Sequence, residues 1–181
     1  MKTTLFVLLF FICQSISFSQ TLNKEEVLKT DTFFVWEVLD LQQVENTGFM
    51  YQDCNFINLL LESVRLGIIR PYTNDDLQMR LAQQVFEYRV NKNNIFNKII
   101  LKSKVNYQVD EIFSHEVIAI SIYSEKGQLI CAFSYQELVQ NLLSENSEAM
   151  ICLGDGLKIP LIEVFENQSF KTEFLKKVKI K

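Results

Sequence analysis

VNYQVDEIFSHEVIAISIYSEKGQLICAF, Val105 to Phe133, is the stretch whose reading decides the fold. Val105, Tyr107 and Val109 alternate with polar neighbours, and Ile118, Ile120 and Ile122 share one face, so the period is the two-residue repeat of a strand. The β-branched and aromatic content agrees, and the stretch reads as a three-strand antiparallel meander. A sheet this apolar needs a cover. Helical patterns lie before it, in Asn55 to Leu66 and Asp75 to Val90, and after it, in Tyr135 to Leu143. The expectation is therefore an α+β fold, an antiparallel meander sheet covered by two to four helices in a single compact domain. Nothing in that arrangement is catalytic.

Composition bounds what surrounds the meander. The chain has 181 residues, 48% hydrophobic and 22% charged, which is ordinary globular usage. Only Pro71, Pro160 and five glycines occur, so no Pro/Gly-rich linker divides it. The first nineteen residues read as a signal peptide: Lys2 is a short positive region, Leu5 to Ile12 an uncharged apolar run, and Ser17-Phe18-Ser19 supplies small residues at the cleavage positions. That run is far short of the roughly 20 residues that span a bilayer. Cleavage before Gln20 would remove Cys13, whose neighbour Ile12 is too bulky for a lipidation site. Residues 20–31, polar and charged from Thr21 to Lys29, read as a mobile approach segment, and 32–181 as the α+β domain.

Removing Lys2 from the 18 basic residues leaves 17 against 22 acidic ones, a net charge of −5, which argues against a nucleic-acid binder. The basic residues are unevenly placed, with Lys171, Lys176, Lys177, Lys179 and Lys181 crowded at the end of the chain. Such a tail either meets an acidic partner or phospholipid surface, or is a solvated, partly frayed terminus. On the first reading Lys176, Lys177 and Lys179 are the partner-binding residues, and replacing them would leave stability level. Cys54, Cys131 and Cys152 remain after signal removal, an odd number. Cys131 and Cys152 each read as a small buried hydrophobe, and a bridge between them would need an approach of their Cβ atoms.

Outside the meander, Asp31 to Leu41 (DTFFVWEVLDL) reads as a strand, with Trp36 either core or a stacking platform. Asn55 is placed to cap a helix carrying Ile57, Leu60, Leu61 and Val64, and Gly67 to end it. Thr73 or Asn74 would cap the next helix, with Asp75 and Asp76 in its first turn, where each gains ~0.3 to 1 kcal/mol from the helix dipole. Asn91 to Asn97 is a polar break, and Lys98 to Ser103 an apolar run at the start of the sheet. Ser134-Tyr135-Gln136-Glu137 reads as a capping box in which Glu137 reaches back to the serine. Gly154-Asp155-Gly156 reads as a turn, and Leu157 to Phe165 as a last strand begun near Pro160.

The catalytic inventory is thin. His115 is the only histidine, which excludes a histidine cluster for zinc and a two-histidine metalloprotease motif. It stands beside Glu116 with no nucleophile elbow nearby. Asp75 and Asp76 have no further ligands at metal-binding spacing. No catalytic residue, metal site or cofactor is expected.

A resemblance narrows the function. VWEVLDL at Val35 to Leu41, then Asn46, Gly48, Phe49 and Tyr51, then FINLLLESVRLGIIRPY at Phe56 to Tyr72, resemble the opening of the GldN/PorN family of gliding-motility proteins. VIAISIY at Val117 to Tyr123 and AFSYQELVQNL at Ala132 to Leu142 resemble its later strand and its strand-to-helix passage, and Glu163 to Lys177 echoes its carboxy-terminal segment. The chain departs from the family in being shorter and in carrying Ile112 where an acidic element would have an aromatic. The resemblance implies a non-enzymatic periplasmic component of the type IX secretion and gliding machinery of Bacteroidetes. Such a component assembles with a partner lipoprotein into a ring beneath the outer membrane. The alternative is an exported small-ligand-binding module or an uncharacterised hydrolase, which would need a concave pocket with convergent polar groups.

Overall fold

The expected meander forms the larger part of a five-stranded antiparallel sheet. In the computed structural model, residues 30–51, 54–93, 95–108, 111–144, 146, 148–152, 158–168 and 171–180 are described. The signal peptide and approach segment read for residues 1–31, the turn at Gly154-Asp155-Gly156 and the side chain of Cys152 lie outside them, apart from Thr30 and Asp31. Strand β1 is Thr30–Asp40, and a 3-10 turn, Val44–Phe49, leads to the short β2, Met50–Tyr51, and β3, Cys54–Asn55. Helices α1, Phe56–Arg65, and α2, Gln83–Lys92, precede the meander of β4, Phe96–Gln108, β5, Glu111–Ser124, and β6, Leu129–Ser134. Then come α3, Tyr135–Glu137, continued as a π-helix over Leu138–Leu143, and β7, Met150–Cys152, β8, Lys158–Pro160, α4, Leu161–Glu166, and β9, Glu173–Lys179. The sheet order is β6-β5-β4-β1-β9, and Asp31–Lys181 is one compact unit.

Sheet alternation sends Leu101, Ile120, Ile122, Cys131 and Phe133 to one face, where they are buried. Helix α1 lays Phe56, Ile57, Leu60, Leu61 and Val64 into the same core, and α4 adds Leu161, Val164 and Phe165. Asn55 caps α1 as expected, its side chain accepting from the Asn58 amide at 3.1 Å. Gly67, at φ +76°, ends it: the Ile68 amide reaches the Ser63 carbonyl (2.9 Å) and the Gly67 amide the Val64 carbonyl (3.1 Å). Cys131 is a free, fully buried thiol, and burial raises its pKa.

Four expectations are corrected. No helix begins at Asp75; residues 73–79 form a loop and α2 starts at Gln83. Asn74 takes the Asp76 amide with its own side chain (3.3 Å), and Leu77 sits at φ +56°, so the local Asx geometry wins over helical continuation. Tertiary pairing holds the loop, because Tyr72 bridges both Ala132 and Arg80. Glu137 does not reach back to Ser134; Ser134 accepts from the Glu137 amide (3.4 Å), while the carboxylate binds Arg80. Leu157 to Phe165 is not a strand throughout, since α4 begins directly after Pro160. Lastly, Lys176, Lys177 and Lys179 do not lie in a frayed tail: Glu173–Lys179 is β9, an edge strand paired antiparallel with β1.

Candidate partner interface at the sheet edge

Strand β9 is held in place by residues far away in sequence. Asn46 is fully buried in the 3-10 turn, and its Nδ2 donates to the Asp40 and Lys171 carbonyls, both at 3.0 Å. Its Oδ1 accepts from the Lys171 amide at 3.3 Å. One side chain thus ties the exit of β1 to the chain entering β9. Thr172 donates to Glu37 (2.9 Å) and Gln43 to Glu173 (2.6 Å), so the first residues of the strand are fixed from the β1 side. Pairing then runs from Val38↔Glu173 to Phe33↔Lys179, with an irregularity between Trp36 and Glu37.

The aromatic residues of β1 receive the lysines of β9, one set on each face of the sheet. On the first face, Lys177 Nζ stands 3.9 Å from the Phe33 ring centre and 3.8 Å from that of Tyr107, two rings set edge to face. Lys179 pairs with Asp31 at 2.6 Å. On the second face, Lys176 Nζ lies 4.1 Å from the Trp36 ring, and Lys102 approaches Phe34 (4.8 Å) and Trp36 (5.3 Å). Ammonium groups over ring faces are attracted by the ring quadrupole. Trp36 is therefore neither buried core nor a free stacking platform, and its indole N–H donates to Asp75 at 2.5 Å.

Lys102 was not foreseen. It points away from Leu101 and the core, is only 5% exposed, and binds Asp76 at 2.6 Å and the Asp75 carbonyl at 3.3 Å. Asp75 and Asp76, read as helix-dipole acids, are instead the counter-charges of a buried lysine. A lysine directly after the apolar run Ile99-Ile100-Leu101, inside a strand-like stretch, was the available signal. A second unforeseen group joins Arg80 and Tyr72 to Glu137, at 2.6 and 3.1 Å, and the Arg80 hydrogen bond holds the Glu137 carboxyl below its ordinary range.

His115 is exposed on β5 opposite Val105. It borders an open depression of about 440 Å³ with Glu116, Tyr135, Val139 and Glu166. Tyr135 donates its hydroxyl to the Phe165 carbonyl, and burial pushes its pKa up to about 12. Among the described residues no three His, Cys, Asp or Glu side chains gather as a metal site, and no helix is long and apolar enough to cross a membrane.

The architecture is that of an antiparallel α+β domain with one face of its sheet under helices and a lysine-rich strand at one edge. The model of the gliding motility associated protein GldN family matches residues 22–126, more than half of the chain, and the chain belongs to that family. Membership associates it with gliding motility and type IX secretion. No curated protein matches. The matched residues run from before β1 through β5, so Trp36, Asn46 and Lys102 fall inside them and β9 outside.

Proposed function

We propose that the chain is a non-enzymatic, periplasmic assembly component of the type IX secretion and gliding machinery that binds a partner lipoprotein in a ring beneath the outer membrane. The family match over residues 22–126 is the observation that carries this reading. The Ser17-Phe18-Ser19 junction supports export, with the mature chain beginning at Gln20. Lys176, Lys177 and Lys179 are its proposed partner-binding residues. Their place on an exposed strand supports that role, because a partner reaches them without disturbing the core. Co-purification from the native envelope tests the proposal. A lipoprotein recovered with the wild type, lost on changing the three lysines to glutamine and weakened by salt, is the expected outcome. Recovery of no envelope protein would overturn the assembly reading. An intact mass that retains Leu5 to Ile12 would overturn the export reading.

A further inference from the structure

The two edges of the sheet differ. At the β6 edge the Tyr72 amide donates to the Ala132 carbonyl (2.7 Å) and the Ala132 amide to the Tyr72 carbonyl (3.1 Å), so a loop residue closes that edge. At the β9 edge all seven residues are exposed, and no described residue pairs with the outer side of the strand. The Ile180 amide donates to the Thr32 carbonyl at 2.9 Å. Antiparallel alternation therefore turns the N–H and C=O groups of Val178 towards β1 and those of Lys177 and Lys179 away from it. The lysines of β9 are the usual guard of a free edge, but large apolar side chains stand open among them. Phe174, Leu175 and Val178 are 67%, 50% and 49% exposed, interleaved with lysines.

We propose that the outer side of β9 accepts an extended, acidic segment of a partner protein as a sixth strand. Charge decides between occupants. Lys176 and Lys177 project to opposite faces, and neither has a carboxylate within ion-pair distance among the described residues. A second copy of this chain, added antiparallel across the same edge with its two-fold axis at Lys176 or Lys177, would set that lysine directly opposite itself, and like charges directly opposite are destabilising. A segment with neighbouring carboxylates places one beside Lys177 and the other beside Lys176, while apolar residues on either side meet Phe174 and Val178. Main-chain bonds to Lys177 and Lys179 would supply affinity, and the lysines the selection. The inference rests on the assembly reading only in taking a protein partner for granted.

The test uses the full mature chain and a blocked peptide, Thr-Val-Glu-Glu-Thr-Val-Thr, against the same peptide with lysines for glutamates. Amide hydrogen exchange at Lys177 and Lys179 and the fluorescence of Trp36, the one tryptophan, are the readouts. The acidic peptide should slow exchange at both amides by about tenfold or more at saturation, and the basic one should not. Lys176→Glu with Lys177→Glu should reverse the preference; if that pair fails to fold, the Gln variants should abolish it. Lys179→Pro removes an outward N–H while keeping the inward pairing, and should weaken binding of the acidic peptide. No protection at millimolar peptide, or equal binding of both peptides, refutes the edge. Concentration-dependent dimerisation that Lys179→Pro removes would identify a second copy as the occupant and refute the acidic segment. Peptide failure with a partner still co-purifying from the envelope sinks this inference alone; recovery of no partner sinks the assembly reading.

Discussion

Neutralising Asp75 and Asp76 separates two accounts of the same acidic pair. As first-turn helix acids they would each contribute ~0.3 to 1 kcal/mol. As partners of Lys102 they do more, because that ammonium is almost wholly withdrawn from water and Asp76 meets it at 2.6 Å. Removing the partners of a buried charge costs roughly 3 to 5 kcal/mol. The Asp75 carbonyl, at 3.3 Å, would remain as an acceptor, so the Asp75→Asn/Asp76→Asn variant is expected near the lower end, about 3 kcal/mol. The reverse change should be mild. Lys102→Met keeps the packing against Phe34 and Trp36, leaves Asp76 with its side chain 56% exposed to water, and leaves Asp75 bound to the indole N–H. It should fall within about 1 kcal/mol of wild type. Adding Lys102→Met to the double variant should then recover about 2 kcal/mol, the signature of coupling within one group. Urea unfolding followed by far-UV circular dichroism measures all four proteins without relying on Trp36, which is itself part of the group. A double variant within about 1 kcal/mol of wild type, or one that Lys102→Met fails to rescue, would refute the buried-charge account.

Asn46→Ala should cost about 2 kcal/mol, because it orphans both backbone groups of Lys171 and leaves the Asp40 carbonyl only the Gln43 amide (3.3 Å), and hydrogen exchange should rise first in Glu173–Lys179. Leu61→Ala, a truncation of a buried α1 residue, should lower the urea midpoint by an amount equivalent to roughly 2 to 5 kcal/mol with an unchanged slope. The lowered Glu137 pKa, caused first by the Arg80 hydrogen bond, means that the unfolded chain binds the proton more readily. Its contribution is therefore present above the ordinary value of 4.5 and lost as pH falls through the depressed folded value. Both side chains are partly exposed, so Glu137→Gln should remove only ~0.5 to 1 kcal/mol at neutral pH and flatten the acid limb of the stability profile.

The elements that sequence revealed share a physical basis. β5 and α1 each carry a periodicity that matches the face they bury, and the Asn55 cap and Gly67 stop are satisfied within a few residues of themselves. Local chemistry is enough there. Where the reading failed, the deciding partner was distant. Asp75 and Asp76 follow Asn74 in a pattern that suits a helix start, yet Lys102 and Trp36, both remote in the chain, claim their side chains. Glu137 has the right spacing for a capping box, but Arg80 gives its charge a stronger partner than a backbone amide. The Lys-rich end looked like a solvated tail because its charges outnumber its apolar residues. Its alternation, Val178 and Ile180 against Lys177 and Lys179, was strand-like all the same.

That alternation bears on how the family-matching part of the chain relates to the rest. Glu173–Lys179 lies beyond the matched residues 22–126, yet each group that receives it lies within them. Asn46 fixes its entry, Glu37 holds Thr172, Trp36 and Phe33 take the lysines, and Tyr107 closes over Lys177. An edge strand with no buried side chain could not hold its place by apolar burial, so these polar and cation–π contacts, together with the β1 ladder, must do so. The lysines then have two roles that compete for the same charge. Lys177 is attracted by the rings beneath it, at 3.8 and 3.9 Å, and an incoming carboxylate would have to share that ammonium with them. Because a cation can meet a ring on one side and an anion on the other, the ring contacts orient Lys177 beforehand and reduce the side-chain entropy lost on binding. Replacing Tyr107 or Phe33 by leucine should therefore weaken acidic-peptide binding without removing a charge, whereas a lysine that is merely solvated would be indifferent to the change.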